Sequence, residues 1–160
     1  MLEHILTLIT VAAALGAGLI AGTFFAFSTF VMRALGRLPA AEGMAAMQSI
    51  NLVVINPWFL GVFLATAAAC VALLAAAALR WQAAGAGYLM LGAGLYLVGT
   101  VLVTIACNVP LNTALAGVAP GAPEAARLWS EYLASWTPWN HVRTVAALSA
   151  AAAFTQALRQ

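Results

Sequence analysis

ILTLITVAAALGAGLIAGTFFAFSTFV, residues 5–31, runs for 27 positions without a charged side chain. A helix needs about 20 apolar residues to cross a hydrocarbon layer of about 30 Å. The run is therefore read as a membrane span. Glu3 and His4 stand where a secretory leader would carry basic residues, and the apolar run far outlasts a leader's core. This first span is expected to be retained.

The rest of the chain repeats the pattern. Arg33, Arg37 and Pro39 stop the first span; further spans are expected over about 57–79, 85–107 and 138–158. Arg80 and Trp81 close the second, Pro110 ends the third, and Thr137-Pro138 should open the fourth as N-cap and first helical residue. Backbone groups in lipid must pair within their own segment, so the spans are helices. Gly18-x-x-x-Gly22 and the glycines of span three suit close helix approach. Two connections read as short helices lying at the membrane surface. In 40–55, Met44, Met47, Gln48 and Asn51 share a face; in 123–136, Leu128, Trp129, Tyr132, Leu133 and Trp136 form an apolar stripe and Arg127 can pair with Glu131. The expected fold class is all-α: a four-helix transmembrane bundle with two short interfacial helices on one side, in a single domain over 1–160.

Composition agrees. Of 160 residues, 65% are hydrophobic and 6% charged, with a mean hydropathy of +1.02; soluble domains average about 25% charged residues. All six basic residues are Arg and all four acids are Glu, so the net charge of +2 is too small to point to nucleic acid. Membrane lipid is the expected surrounding, and the glycine-rich faces permit a homodimer. Cys70 and Cys107 fall at different depths, so a disulfide is not expected.

Four spans bring the end of the first and third to the same side as the start of the second and fourth. Gln48, Asn51, Asn56, Asn108, Asn112, Asn140, His141 and Arg143 all lie on that side. Polar groups near a lipid boundary are costly, so such a cluster needs mutual hydrogen bonds or a function. His141 is the only imidazole there and could carry a proton near neutral pH. Arg143, early in its helix, opposes the helix dipole and calls for Glu42, Glu131, a bound anion or an electron-rich ligand. Trp129, Tyr132 and Trp136 suit the headgroup layer and could anchor the interface. No HExxH, CxxC, intramembrane carboxylate or pair of histidines on one side points to zinc, di-iron or haem. A copper site from His141, Cys107 and a Met stays open as an alternative.

Four stretches, FAFSTFVM at 25–32, MQSINLVVINPWF at 47–59, NVPLN at 108–112 and WTPWNHVR at 136–143, resemble the anthrone oxygenase-like family of small four-span membrane proteins. The resemblance covers nearly the whole chain. It implies oxidation of anthrones to anthraquinones by O2 without a metal or organic cofactor, and it adds a small aromatic or apolar ligand as an expected partner. On that reading His141 would take a proton, with Arg143, Asn108, Asn112 and Asn140 holding the oxyanion. Gln48, Asn51, Asn56, Trp129, Trp136 and Trp139 would complete the substrate-binding set. A small-molecule carrier, a stabilising subunit and a metal or haem redox protein are the competing classes. A bacterial inner membrane is the expected location, and the arginine count, Arg33, Arg37, Arg127 and Arg143 against Arg80 and Arg159, leads us to expect the polar end on its cytoplasmic side.

Overall fold

A computed structural model describes residues 1–160. The chain is all helix and turn, with no strand. Its helices are α1 (Leu2–Leu35), α2 (Ala40–Val53), α3 (Pro57–Leu79), α4 (Ala86–Ala116) and α5 (Ala125–Ala157). Three of them, α1, α3 and α4, are long and apolar enough to cross a membrane. The fourth long helix, α5, falls short of that hydropathy because Asn140, His141 and Arg143 lie within it. It nevertheless runs the length of the bundle: Trp136 packs against Phe27 of α1, and Ala157 lies against Gly85 at the start of α4.

The interfacial helix expected over 40–55 forms as α2. Its neighbour over 123–136 does not form separately; it is the first part of the continuous 33-residue α5, with Pro138 inside it. Proline removes one backbone donor and crowds the carbonyl four residues back. Helix on both sides, packed against α1, α2 and α4, outweighs that local cost. Thr137 and Pro138 therefore do not start a helix. Pro110 likewise does not end α4, which continues to Ala116. A π-helical segment, Thr104–Asn108, precedes that proline. Its wide turn already departs from the i→i−4 ladder, so the missing donor matters less.

Two more π-helical segments occur, Phe27–Val31 in α1 and Leu95–Leu102 in α4. Thr29 donates back to Phe25 O at 2.7 Å and Thr104 to Thr100 O at 2.7 Å, back-bonds that favour bending.

The core has two parts. A mid-bundle cluster joins Ala13, Ala17, Ile20 and Phe24 of α1 to Phe63, Cys70 and Leu73 of α3, Ala93 and Tyr96 of α4, and Ala147, Ala150 and Phe154 of α5. Close approach here depends on Gly92 and Gly99 of α4: a Cβ would lie 2.7 Å from Phe154 Cε1 at the first and 2.5 Å from Ala146 Cβ at the second. Gly18 and Gly22 face open space, so the GxxxG pair packs nothing within this chain. The second cluster caps the polar end, where Met44 and Met47 of α2 pack with Met32, Leu115, Trp129, Tyr132 and Trp136. Both cysteines are free.

Candidate functional site

Between the two clusters lies a cavity of about 630 Å³, with walls from all five helices. That size is typical of small-ligand sites. Phe24 and Phe27 of α1, Ile50 and Leu52 of α2, and Phe59 and Phe63 of α3 make most of its wall apolar. Five residues anticipated as site residues line it: Gln48, Asn51, Asn112, Trp136 and Arg143.

Arg143 dominates its chemistry. The side chain is 5% exposed, and its guanidinium carbon lies 4.1 Å from the Phe24 ring centre and 5.1 Å from that of Trp136. Nη2 donates to Asn140 Oδ1 at 2.8 Å, Nη1 donates to Thr104 Oγ1 at 3.2 Å, and Nε has no partner. No carboxylate answers it: Glu131 pairs with Arg127, Glu3 pairs with Arg80 at the opposite end, and Glu42 and Glu124 are exposed. A buried guanidinium held only by neutral dipoles and aromatic faces keeps an unneutralised positive charge at the cavity wall.

A closed set of hydrogen bonds fixes that charge. Asn140 is fully buried; its Nδ2 donates to Phe24 O and to Ser28 Oγ, both at 2.8 Å. Thr144 Oγ1 donates to Asn140 O at 2.8 Å and lies 2.9 Å from Ser28 Oγ. Ser28 belongs to the π-helical segment of α1 and Thr104 to one of α4. Each thus supplies a hydroxyl to the Asn140–Arg143 pair from a segment where α-helical regularity is broken, a frequent setting for functional sites.

Tyr132 donates to Asn112 Oδ1 at 2.8 Å and stacks between Trp129 and Trp136, with ring centres 5.7 and 6.0 Å away. Asn108, buried behind the wall, donates from Nδ2 to Trp136 O at 3.3 Å, leaving its Oδ1 unpartnered. Asn51 Nδ2 and the indole nitrogens of Trp129 and Trp136 are also buried without partners. Gln48 serves the fold as well as the wall. Its Nε2 donates to Leu115 O at 2.8 Å and Val118 O at 2.9 Å, pinning α2 to the end of α4.

Six anticipated residues are absent from the cavity wall: Asn108, Trp129 and Asn140 sit behind it, and Asn56, Trp139 and His141 stand apart from it. Asn56 caps α3, accepting at Oδ1 from the backbone N–H groups of Trp58 and Phe59, both at 3.0 Å. Trp139 is 43% exposed on the outer face. His141 is exposed, lines no part of the cavity and makes no side-chain hydrogen bond. Helical phase separates them. Trp136, Asn140, Arg143 and Ala147 share the buried face, whereas His141 is in step with the exposed Val145 and Leu148. The copper alternative loses its imidazole from the interior for the same reason, and no three His, Cys, Asp or Glu side chains converge anywhere. Ser28, Thr104 and Thr144, not anticipated as site residues, are the additions; in-phase spacing with Asn140 would have found Thr144.

No curated protein and no solved structure matches the chain. The sequence model of one family, described as anthrone oxygenase, matches residues 56–153, more than half of the chain. That stretch carries Thr104, Asn108, Asn112, Trp136, Asn140 and Arg143. The chain belongs to the anthrone oxygenase family.

Proposed function

We propose that the protein is a membrane oxygenase that binds a flat, apolar phenolic compound of the anthrone class in the 630 Å³ cavity and promotes its oxidation by O2. The observation that carries this reading is the buried Arg143 guanidinium, facing an apolar cavity without a carboxylate partner. A membrane-embedded positive charge is costly. An anionic ligand oxygen would compensate it, and the low dielectric makes that attraction strong.

An anthrone loses a proton from its methylene carbon to give an enolate, whose negative charge rests largely on oxygen. Arg143, on the cavity wall, is the donor that would hold that oxygen as charge develops. The electron-rich ring carbon then reduces O2 and bonds to it. Cleavage of the O–O bond, with loss of the second methylene hydrogen as a proton, leaves a new carbonyl and releases water. One anthrone and one O2 thus give one anthraquinone and one water. The cavity wall holds neither a carboxylate nor an imidazole, and both methylene protons leave with the second oxygen atom as the water released. The protein contributes binding, orientation and a lowered cost of ionisation.

In the membrane, α5 is the fourth span, with Asn140, Arg143 and Thr144 turned inward towards α1 and α4 and His141 turned outward. Arg143 belongs to the cavity and not to a loop. The orientation therefore rests on Arg33, Arg37 and Arg127 against Arg80 and Arg159, an excess that favours a cytoplasmic cavity end. The test is O2 uptake by the purified protein in detergent with anthrone. One O2 consumed per anthraquinone formed, saturable in anthrone and lost in Arg143→Gln, supports the reading. Anthrone binding without O2 consumption would instead favour a carrier.

A further inference from the structure

The cavity is closed toward the aqueous end. Met44 and Met47 of α2 are buried in the cap cluster, and Gln48 bonds two carbonyls at and just beyond the end of α4. It is open at its side. α3 and α4 pack together along the halves joined by the Arg80–Gly85 turn, then part toward Pro57 and Ala116. The π-helical segments and Pro110 lie in the departing half of α4, and both features redirect helices. The gap is rimmed by Leu52, Ile55 and Leu60 on one side and Val109, Thr113 and Ala116 on the other, all on the cavity wall. Leu52 is 74% exposed and Ile55 68%, and no charged side chain stands on either rim.

The geometry points to a lateral portal: the cavity is loaded from the bilayer, through the slot between the start of α3 and the end of α4, by an apolar ring compound dissolved in the membrane. The slot lies where Trp58, beside Pro57, is exposed, and tryptophan favours the boundary between headgroups and hydrocarbon. Flat phenols, apolar with a polar edge, partition to the same depth. The ring can pass from that layer into the cavity without crossing water, its oxygen reaching Arg143 last. This inference rests on the reading of the cavity as the substrate chamber.

The test uses the full chain in phospholipid nanodiscs with anthrone as probe. Ala116→Phe narrows the slot at an exposed position, with Ala116→Ser as the size-matched control. The expected result is a kcat/KM lowered about tenfold for Ala116→Phe and little changed for Ala116→Ser. At fixed, subsaturating anthrone the parent's rate should fall in proportion as lipid is added, because the relevant concentration is that in the membrane. A readout independent of turnover is the labelling of Ile55→Cys by pyrene maleimide dissolved in the lipid, which anthrone should slow. Protection without oxidation would keep the portal and remove the oxygenase reading. Oxidation that ignores Ala116→Phe and lipid content, with unprotected labelling, would overturn the portal and leave the oxygenase reading in place.

Discussion

Arg143 Nη2 donates to Asn140 Oδ1 at 2.8 Å, one turn back on the same helix, and the guanidinium meets no carboxylate. Asn140 can therefore orient the charge but cannot neutralise it. The free protein carries an electrostatic cost that a bound anion would relieve. Replacing Arg143 with Met separates the two roles. Removing a lone buried charge is expected to leave thermal stability in detergent unchanged or to raise it, by up to about 3 kcal/mol. Turnover should drop about 10²–10³-fold, the usual loss when a donor to a developing oxyanion is removed. Paired melting and O2-uptake measurements check this. A clear loss of stability with little loss of turnover would make Arg143 a structural residue.

His141 supplies the converse case. It is exposed and out of phase with the cavity face. His141→Ala should change kcat by less than about twofold and leave the pH–rate profile where it was, since a general base would contribute about 10²–10⁴-fold. Loss of a limb of that profile near neutral pH in the variant would restore the imidazole to the mechanism.

The sequence disclosed which end of the bundle holds the polar groups, because parity of the long apolar runs brings alternate helix ends together. It also disclosed Arg143, as a cation within an apolar run, although the helix begins at Ala125, so Arg143 lies at mid-helix and the expected conflict with the helix dipole does not arise. Grouping residues by end did not resolve them by face. Asn140, His141 and Arg143 are neighbours along the chain, yet an advance of about 100° per residue turns the imidazole outward. Ser28 and Thr104 lay beyond such reasoning, because Ser and Thr inside an apolar helix ordinarily bond their own backbone. Their roles depend on π-helical turns and on contacts between helices, with partners 112 positions away for Ser28 and 39 for Thr104. Pro110 and Pro138 misled for a related reason: local chemistry argues for a helix end, and tertiary packing carries the helix through.

Asn140 should behave as a positioning residue. Its side chain makes three hydrogen bonds, buried ones to Phe24 O and the Arg143 guanidinium and a partly buried one to Ser28 Oγ. Asn140→Ala orphans these groups and is expected to destabilise by about 1–3 kcal/mol. Arg143 would also lose its preferred aim, so turnover should fall well beyond what instability explains. Ser28→Ala leaves Asn140 two of its partners and should give a smaller loss of both. Equal losses of turnover in the two variants would show that the aim of Arg143 does not depend on Asn140.

Gln48 tests whether the cap above the cavity is held shut. Its two bonds to Leu115 O and Val118 O, at 2.8 and 2.9 Å, tie α2 to the end of α4 across the aqueous end. Gln48→Leu keeps the side chain's bulk but removes both donors, leaving two carbonyls to find water. The expected cost is about 1–3 kcal/mol, concentrated in α2 because Met44 and Met47 still bury their side chains in the cap cluster. Hydrogen exchange at the backbone of residues 40–53 should accelerate while that of α1 and α5 in mid-bundle stays slow. Loosening confined to α2 opens a watery route to Arg143, so anthrone supplied from solution should be oxidised with less dependence on added lipid than in the parent. Uniform acceleration across all helices would mean that α2 is an inseparable part of the bundle's folding unit and not a separately held cap.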